Sequence, residues 1–597
     1  MRRAAPFLVG ALVAACGSDE PSVRYVLLPD PVADLRADSN RDGVVRFDDE
    51  SDANKLEWSA TNGAVFLANI DDDSERCGVN KNDNEIALCN DAADENVNGD
   101  DDAADLARLW TRPLPDVPGD MTATIEVVTP EARDRVRLFS RTGPNAADFT
   151  VLFADTVFNA ADLREGIELG IEAKDIVRDK EVWDGFVDVK LTLTTPRGES
   201  SDTVRLRVAP VLTFHHLLPA ERIWQSQTGR QGNADLRRDL TRACEAAGVP
   251  PPALIEENDP WTQDFFEPAY MSMPAPNGGQ HVIRVNYRSA NVYEPEETDN
   301  PLRPAGAVVF RLRGKDVAGV QEFDLTHPPE MDTLNSFGNL ETVPPYSAGG
   351  VAYPFGRLLR GATQSFFPDP VFEKMLEAQG QQPPILIDTS WLRVAHVDET
   401  VSFVKAATPR GWKLLVNDPR LAKTMLEDAA ARGHGATTMF VGKEWYDPET
   451  ERASPAEVSI AEVLADPIVM QASAEAAAEV DAQLAILRKE LALADDEIVR
   501  VPFLHTLIDG GSIAYQPGLV NGVYLADGHF GAPNPHGPII DGKDIFADAF
   551  TKALAPLGIT AHFLEDWDEY HVANGEVHCG TNATRQVPDA KWWEAGR

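Results

Sequence analysis

Three short segments carry residue types that could act together in catalysis. Near the C-terminus, residues 576–582 read EVHCGTN and place the thiol of Cys579 between a histidine and a glycine. Upstream, His396 stands two residues before Asp398, and Asp264 ends the segment WTQD. Together they supply a nucleophile, a general base and two carboxylates. This set suits chemistry on a guanidinium group, which is planar, has five donors and stays charged.

These residue types predict a reaction. Asp264 and Asp398 would hold the guanidinium in a slot shielded from water, because paired carboxylates replace the hydration of its donors. The Cys579 thiolate would attack the guanidinium carbon, and His396 would protonate the departing ammonia as general acid. His396 would then activate water to hydrolyse the thiouronium intermediate. The product would be a neutral ureido group.

The same residues also have simpler interpretations. A histidine such as His396 is often a hydrogen-bonded core residue, and Trp261 could be an ordinary core aromatic rather than a wall along a substrate's methylene stem. His578 neighbours the thiol and is assigned only a supporting role in substrate binding. The position of Asp398 favours catalysis, because residues two apart in a strand lie on one face.

The elements that must position these residues change character near residue 210. Residues 21–210 have the pattern of a β-sandwich, with turns rich in Pro, Gly, Asn and Asp. Its clearest alternating runs are 123–128, 187–193 and 202–210. From 211 to 597 strands alternate with helices. Examples are a strand at 385–387 and helical regions at 419–432 and 454–494. We predict an α+β multidomain protein with the catalytic residues in the second domain.

Length and charge exclude some classes of protein. At 597 residues the chain exceeds one typical core, which agrees with two or more domains. The formal net charge of −42 should repel nucleic acid and anionic membrane surfaces, and it should attract cations or basic polypeptides. We therefore predict no nucleic-acid partner.

The first 20 residues have the pattern of an export signal. Two arginines precede a short apolar run, and Val13–Cys16 resembles a bacterial lipobox, whose cysteine is acylated after cleavage. An ordinary cleavage site with an incidental cysteine is the alternative. The apolar run is too short to span a membrane stably. We predict an exported protein that is anchored to a bacterial membrane through a lipid on Cys16.

The other cysteines differ in their surroundings. Cys77 and Cys89 are close together in an acidic region and could form a local disulfide in an oxidising compartment. Cys244 lies in a helix-like stretch and is most simply a buried apolar residue. Cys579 is then an unpaired cysteine within a motif, which is the pattern of a reactive thiol.

Acidic loops in the first domain predict calcium binding. Asp38, Asn40, Asp42 and Asp49 follow the spacing of the twelve-residue calcium loop, with a glycine at its sixth position. The last ligand is Asp rather than Glu, which favours monodentate binding. A second set with twelve-position spacing is Asp94, Asn96, Asn98, Gly99 and Asp105, and a third oxygen-rich cluster lies at Asn69–Asp73. Solvated loops in a very acidic protein are the alternative, but several such clusters in one short region favour calcium.

Several segments of this sequence resemble motifs of the peptidylarginine deiminase family and follow the same order along the chain. They are Asn69–Asp73, Val208–Pro210, Trp261–Asp264, Ser336–Glu341, Tyr353–Arg357, His396–Glu399, Phe403–Val404 and Gly575–Asn582. The similarity extends from about residue 24 to Trp593. It implies an immunoglobulin-like calcium-binding domain followed by a five-bladed α/β propeller of the pentein type. It also implies calcium-dependent conversion of arginine residues in proteins or peptides to citrulline.

The resemblance implies two groups of calcium ligands. In the catalytic domain they are Gln263, Glu267, the backbone carbonyls of Phe337 and Leu340, and Glu341. In the first domain they are Asn69, Asp71, Asp73, Asp91, Asp102 and Asp105, with Asp316 reaching across from the catalytic domain. Because Gln263 and Asp264 are adjacent, an ion held there would fix the segment that carries a substrate carboxylate.

Departures from the family pattern leave alternatives open. A second catalytic-domain calcium position falls on Phe265 and Val285, which offer no side-chain oxygen, so we predict that this site is lost. Arg288 matches one substrate-binding arginine, but Ala290 and Ala573 replace two others. A deiminase of free arginine or another small guanidine is therefore an alternative. A calcium-binding surface lipoprotein with a vestigial site is another.

Overall fold

Many small sheets and interspersed helices build a mixed α and β protein. The structure, a computed structural model, describes residues 31–48, 52–78, 82–142, 148–292, 300–326, 333–363, 368–447 and 452–595. The predicted export signal, Cys16 and Asp49 lie outside these ranges. Across the described ranges, no helix is both long enough and apolar enough to cross a membrane.

Two five-stranded sheets form the first region. The strands of one are, in spatial order, Leu35–Ala37, Ala107–Thr111, Ile167–Ala173, Val136–Thr142 and Thr150–Val151. Those of the other are Ala64–Phe66, Gly198–Val208, Phe186–Thr195, Thr122–Val127 and Phe158–Asn159. Alternate residues of Phe186–Thr195 are buried, which confirms the predicted alternation. Leu109 from one sheet and Leu206 from the other belong to one hydrophobic core.

Short helices and a disulfide complete this region. The helices are Asp83–Ala87, Asp100–Asp105 and Ala160–Glu165. Cys77 and Cys89 form a disulfide, which confirms the predicted pairing. Cys244, in the later helix Gln231–Ala247, is fully buried as predicted.

From residue 212 onward, five sheets share one strand pattern. In four of them, two antiparallel strands are followed by a third that runs parallel to the second. The three strands of the first of these sheets are Phe266–Ala275, Gly279–Arg288 and Val317–Val320, and those of the second are Leu340–Val343, Arg357–Ala362 and Ile385–Asp388. The third sheet has Val401–Lys405, Trp412–Asp418 and Ile498–Pro502, and the fourth has Val523–Ala526, His529–Pro533 and Thr560–Leu564. In the fifth sheet, Ala220–Ser226 pairs in parallel with Ala253–Ile255 and antiparallel with Asn582–Arg585. The last described strand therefore returns to the start of this region.

Helices lie between the second and third strands of these repeats. They are Gln231–Ala247, Val308–Arg311, Pro370–Ala378, Pro419–Ala429, Ile460–Ala465, Pro467–Leu491 and Ile545–Leu554. The strand predicted at 385–387 is confirmed. The helical region predicted from 454 to 494 is wrong in its first part, because Arg452–Pro455 and Val458–Ser459 are strands. The following helices are separate because Asp466 caps a new helix and Pro467 begins it.

Candidate active site

Cys579 lies in a turn directly before the closing strand, and only 6% of it is exposed. Its Sγ lies 3.6 Å from Asp398 Oδ2, and the side-chain amide of Asn521 donates to Sγ at 3.4 Å. The Cys579 carbonyl accepts the backbone N–H of Gln263 at 3.1 Å. The thiol is therefore positioned between one predicted carboxylate and the segment that carries the other.

His396 and Asp398 reach this site from a turn. Residues Val397–Glu399 form a 3-10 turn, and the strand begins only at Val401, so the two residues do not share a strand as predicted. Their side chains nevertheless face one point, because a methyl group on Gly338 would lie 2.5 Å from His396 Nδ1 and 3.1 Å from Asp398 Oδ2. The close approach therefore requires glycine at position 338.

The hydrogen bonds of His396 define its tautomer. Its Nε2 lies 2.8 Å from the backbone carbonyl oxygen of Thr333. Because a carbonyl only accepts, Nε2 carries the proton and Nδ1 keeps its lone pair. Nδ1 is buried, has no hydrogen-bond partner among the described residues, and lies 3.9 Å from Asp264 Oδ1. His396 can therefore accept a proton at Nδ1, and Asp264 would stabilise the resulting imidazolium.

Asp264 is held by an arginine. It lies in the short helix Thr262–Phe265, and Arg303 Nη1 donates to its Oδ2 at 3.0 Å. Two further nitrogens of Arg303 donate to Asp259 at 2.6 and 2.7 Å. Burial raises the pKa of Asp264, and the charge of Arg303 opposes that rise. Asp264 Oδ1 has no hydrogen bond within the described ranges and can accept one from a substrate.

The carboxylates place the thiol in an acidic environment. Burial raises the pKa of Cys579 well above its usual value, and the charges of Asp398 and Asp264 raise it further. A guanidinium bound by both carboxylates would neutralise those charges and so favour the thiolate. The site is therefore suited to a cationic planar group, whose binding would itself activate the nucleophile.

The predicted substrate-binding residues have different surroundings. The Trp261 ring lies so close to Gly575 that a Cβ there would come within 2.2 Å of it. Arg288 is fully buried and donates to Asp83 and Gln321 at 2.7 and 2.8 Å, so it joins the two regions of the chain. A contact between Arg288 and a substrate stays a prediction.

One cavity adjoins the thiol, and a second, larger cavity lies next to the first. The first has a volume of about 20 Å³ and is lined in part by Cys579, Asn521 and Asn574. Asn574 also lines a larger surface cavity of about 960 Å³. Its wall combines basic, acidic and aromatic side chains, among them Arg393, Asp509, Trp445 and Tyr446. The larger cavity has room for a ligand of more than one residue.

Comparison with known proteins identifies the family. The profile described as protein-arginine deiminase matches residues 199–594. The chain belongs to the protein-arginine deiminase family. Protein-arginine deiminase type-4 of Mus musculus is 30% identical over 405 residues, which cover 66% of this chain and 56% of that protein. Type-1 of Homo sapiens is 30% identical over 427 residues, covering 68% and 60%.

A further relative extends into the first region. Protein-arginine deiminase type-3 of Homo sapiens is 28% identical over 551 residues, which cover 89% of this chain and 77% of that protein. The chain spans 56% of the type-4 relative and 60% of the type-1 relative.

The residues predicted to bind calcium in the second domain lie together beside the catalytic centre. Gln263 donates to Glu267 Oε2 at 2.9 Å and lies 3.4 Å from the Phe337 carbonyl oxygen. Burial raises the pKa of Glu267 to about 8 and that of Glu341 well above its usual range. A cavity of about 20 Å³ is lined by residues that include Gln263, Glu267, Leu340 and Glu341. These buried oxygens fit a hard divalent cation.

The first region contains a second group of buried acids, the acidic cluster. Its members are Asn69, Asp71, Asp73, Asp91, Asp102, Asp105 and Asp316. Oxygens of Asp71, Asp73 and Asp105 lie within 4.8 Å of one another. The backbone N–H of Asp316 donates to Asp71 at 3.0 Å, so the cluster reaches both regions. Burial and neighbouring acids raise the pKa of Asp105 to about 9 and that of Asp73 to about 6.

Hydrogen bonds connect the other members to this cluster. Asp91 accepts the backbone N–H of Asp73 at 2.7 Å. Asn69 donates to Asp102 at 2.8 Å, and its own side-chain oxygen is buried without a partner in the described part of the chain. Several oxygens are therefore directed at one small volume.

The loop predicted to bind calcium from Asp38 uses its acids differently. Asp38 accepts the backbone N–H groups of Asp42 and Gly43 at 3.0 and 2.9 Å. Asn40 donates to Asp42 at 3.4 Å, and Asp42 also pairs with Arg46. Burial raises the pKa of Asp38 to about 6. These carboxylates already have partners within the loop, and calcium binding there stays a prediction.

Sequence reasoning missed three residues of the site. Arg303 and Asn521 carry no motif, and each is far along the chain from the residue that it contacts. His216 contacts Glu341, one of the implied calcium ligands. The pair His215–His216, directly after a predicted strand and domain boundary, was a signal that could have drawn attention to it.

Proposed function

We propose that this chain hydrolyses the guanidinium of arginine residues in proteins or peptides to citrulline and ammonia. The observation that carries the proposal is the convergence of a thiol, an imidazole and two carboxylates. Cys579 Sγ lies 3.6 Å from Asp398 Oδ2, and His396 Nδ1 lies 3.9 Å from Asp264 Oδ1. Family membership supports the reaction class, because the similar relatives are named protein-arginine deiminases.

In the first half of the reaction, Asp264 and Asp398 accept hydrogen bonds from the guanidinium and present its carbon to Cys579. The thiol proton passes to His396 Nδ1, and the thiolate forms a bond to the carbon. His396 then returns that proton to a terminal nitrogen. The bond from this nitrogen to the carbon breaks, ammonia leaves, and a covalent thiouronium remains.

In the second half, His396 Nδ1 takes a proton from water, and the hydroxide forms a bond to the thiouronium carbon. The carbon–sulfur bond then breaks, and its electron pair returns to Cys579. The hydroxyl proton passes to water, which gives the ureido group, and the proton on His396 returns to the Cys579 thiolate. Because the product is neutral, Asp264 and Asp398 no longer hold a cation, which favours its release.

We also propose that calcium is required. Its ligands in the catalytic domain would be Gln263, Glu267, the carbonyls of Phe337 and Leu340, and Glu341. Bound there, calcium would supply positive charge to the buried carboxylates and would hold the segment that carries Asp264. The acidic cluster would bind calcium separately. The loop of Asp38, Asn40, Asp42 and Asp49 is a weaker candidate, because its described carboxylates have partners already.

The finer architecture belongs to the same proposal. We infer that residues 21–210 form an immunoglobulin-like domain and that residues 211–597 form a five-bladed propeller. The two five-stranded sheets support the first statement, and the repeated strand pattern with its closing strand supports the second. An experimental structure tests both, since it should show the two five-stranded sheets packed on one core and the five three-stranded units arranged around one axis.

We further propose export and a lipid anchor on Cys16 in a bacterial membrane, on the basis of the lipobox. Mass spectrometry of protein extracted from membranes should find an acylated Cys16 at the mature N-terminus. An N-terminus downstream of Cys16, with all protein soluble, would rule out the anchor.

One observation favours the alternative substrate, free arginine or another small guanidine. Arg303 already binds one oxygen of Asp264, and the two alanines at 290 and 573 offer no charge to a peptide backbone. The 960 Å³ cavity beside Asn574 favours a polypeptide instead. A vestigial site is the weakest alternative, because Cys579, His396 and both carboxylates are present and close together.

Citrulline release decides between these alternatives. The substrates are a blocked arginine ester, free arginine and an unfolded protein, each with calcium or with excess chelator, and Cys579→Ser is the control. We expect release from the ester and the protein, only with calcium. Release from free arginine alone would favour the small-guanidine alternative, and no release from any substrate would contradict the proposed reaction.

A further inference from the structure

Two histidines and a glutamate form a cluster beside the catalytic centre. His216 follows a short strand, Glu341 lies in the strand Leu340–Val343, and His578 directly precedes the cysteine of the site. Each offers one donor atom, and these atoms lie within 4.8 Å of one another. All three residues are buried, and Glu341 is only 2% exposed.

The hydrogen bonds in this cluster leave two acceptors facing each other. His578 Nδ1 lies 2.9 Å from Asp398 Oδ2, so it carries a proton toward that carboxylate. Its Nε2 therefore presents a lone pair to Glu341 Oε1, 3.6 Å away. Glu341 Oε1 is buried without a hydrogen-bond partner in the ranges that the structure describes. Two facing acceptors in a buried site repel unless a proton or a metal cation lies between them, and His216 Nε2 contacts the other carboxylate oxygen of Glu341.

The cluster also has space for an ion. The cavity of about 20 Å³ described above is lined by His216 and His578 as well as by Glu341. A volume of roughly 10–15 Å³ is enough for one water-sized atom. One ion with its ligands therefore fits, and a second does not.

The donor types select the ion. Two imidazole nitrogens and one carboxylate are typical ligands of Zn²⁺ and its neighbours in the first transition row, whereas Ca²⁺ takes oxygen ligands. We propose that His216, Glu341 and His578 bind one divalent transition ion of the zinc class, which competes with calcium for Glu341. This site shares one residue with the calcium site proposed above, and it does not depend on the deiminase reaction.

The ion would act on the catalytic centre through His578. A metal on Nε2 makes the Nδ1–H a stronger donor, and its partner Asp398 Oδ2 is the oxygen that lies 3.6 Å from Cys579 Sγ. That oxygen would then be less available to a guanidinium. Bound zinc should therefore oppose substrate binding, while calcium at Glu341 should leave His578 unchanged.

Metal binding by the whole protein tests the proposal. Protein stripped of ions is dialysed against Zn²⁺ without calcium, and bound zinc is measured as a function of free zinc. His216→Asn removes one nitrogen ligand, and we expect its affinity for one zinc to fall by more than about tenfold, since even outer partners of zinc ligands change affinity by ~10–100-fold.

Two matched variants separate this site from other zinc ligands. His281→Asn alters the histidine beside Asp105 in the acidic cluster, and Cys579→Ser removes the buried thiol. Both should keep the zinc that His216→Asn loses. If either variant loses it while His216→Asn keeps it, the proposed site is wrong.

Cobalt gives a second measurement that needs no variant. Co²⁺ bound to the wild-type protein should show the visible bands of a four- or five-coordinate site without thiolate charge transfer, and added calcium should displace it. A thiolate band, or no displacement by calcium, would overturn the proposal even if His216→Asn did not fold. Neither the amount of bound zinc nor the cobalt spectrum depends on citrulline formation. A protein that binds zinc but releases no citrulline would therefore contradict the proposed function and not the proposed zinc site.

Discussion

The catalytic centre and the acidic cluster both bury carboxylates, but different groups balance their charge. In the catalytic centre, Asp264 accepts a hydrogen bond from Arg303 at 3.0 Å, and Asp398 accepts one from His578 at 2.9 Å. In the acidic cluster, Asp71, Asp73 and Asp105 face one another. Asp264 and Asp398 therefore have donors within the protein, whereas burial and neighbouring acids raise the pKa of Asp73 and Asp105, so the acidic cluster needs protons or an added cation. We therefore expect the stability of the acidic cluster to depend on cations, whereas the protein itself supplies the partners of Asp264 and Asp398.

The largest effect should come from the nucleophile. Cys579→Ser should lower kcat by about a thousandfold or more, because a serine hydroxyl is a poor nucleophile in a site built for a thiolate. Citrulline release measures the activity. Thermal unfolding with and without calcium measures how much calcium stabilises the acidic cluster. The rise in Tm on adding calcium should be the same in the variant as in the wild type. If the variant lost this rise, the catalytic centre and the acidic cluster would not be independent.

Neutralising the substrate carboxylates should have the next largest effect. Asp264→Asn and Asp398→Asn should each lower kcat/KM by about 100-fold or more, because a guanidinium donor pair would face a neutral partner, and charge-assisted hydrogen bonds are roughly twice as strong as neutral ones. Kinetics on a blocked arginine ester measure this. A variant that retained most of its kcat/KM would show that its residue does not hold the guanidinium.

Sequence motifs predicted the parts of the site that lie in short continuous segments. Cys579, His396 and both carboxylates each belong to such a segment. Arg303 could not be predicted in this way, because it meets Asp264 across 39 residues of sequence through folding alone. Asn521 meets Cys579 across 58 residues. The same limit applies to His396 and Asp398, whose shared direction comes from a 3-10 turn and not from strand alternation.

The fold shows a similar division. Alternation predicted three of the longer strands of the first region, because one face of each is buried against a shared core. The boundary after residue 454 was predicted poorly, because the two short strands there are fixed by pairing with the upstream strands Glu444–Asp447 and Thr438–Met439. Composition gives helix propensity but not such pairing.

The stability of the cation-free protein should depend on pH because of the acidic cluster. The pKa of Asp105 is raised to about 9 in the folded state, from an ordinary 3.8. Between these values the folded state binds the proton more tightly, so stability is highest at the acid end and falls by about 1.4 kcal/mol per pH unit as pH rises toward 9.

Chemical denaturation in excess chelator from pH 5 to pH 8 measures this slope. Calcium should flatten it, because the ion replaces the protons, and Asp105→Asn should flatten it without calcium. A slope that is the same with calcium, with chelator and in Asp105→Asn would show that the cluster is not balanced by cations.

The pairing of Arg303 with Asp264 should set the acid limb of activity. Arg303 opposes the rise in the pKa of Asp264 that burial causes. In Arg303→Gln the pKa of Asp264 should therefore rise. The acid limb of kcat/KM should move to higher pH, and kcat/KM measured near that limb should fall by about tenfold. Arg303→Lys keeps the charge and is the matched control. An acid limb that stays in place in Arg303→Gln would show that the catalytic carboxylates need no built-in cation.

The smallest effect should come from the loop of Asp38 and Asp42. Its carboxylates accept backbone N–H groups or pair with Arg46, whereas Asp71, Asp73 and Asp105 of the acidic cluster face one another. Asp42→Asn should change the calcium-dependent rise in unfolding free energy by less than about 0.5 kcal/mol, which is typical of an exposed ion pair. Asp73→Asn, in the acidic cluster, should reduce that rise several-fold more. A larger loss in Asp42→Asn than in Asp73→Asn would reverse the comparison and make the loop the main calcium site.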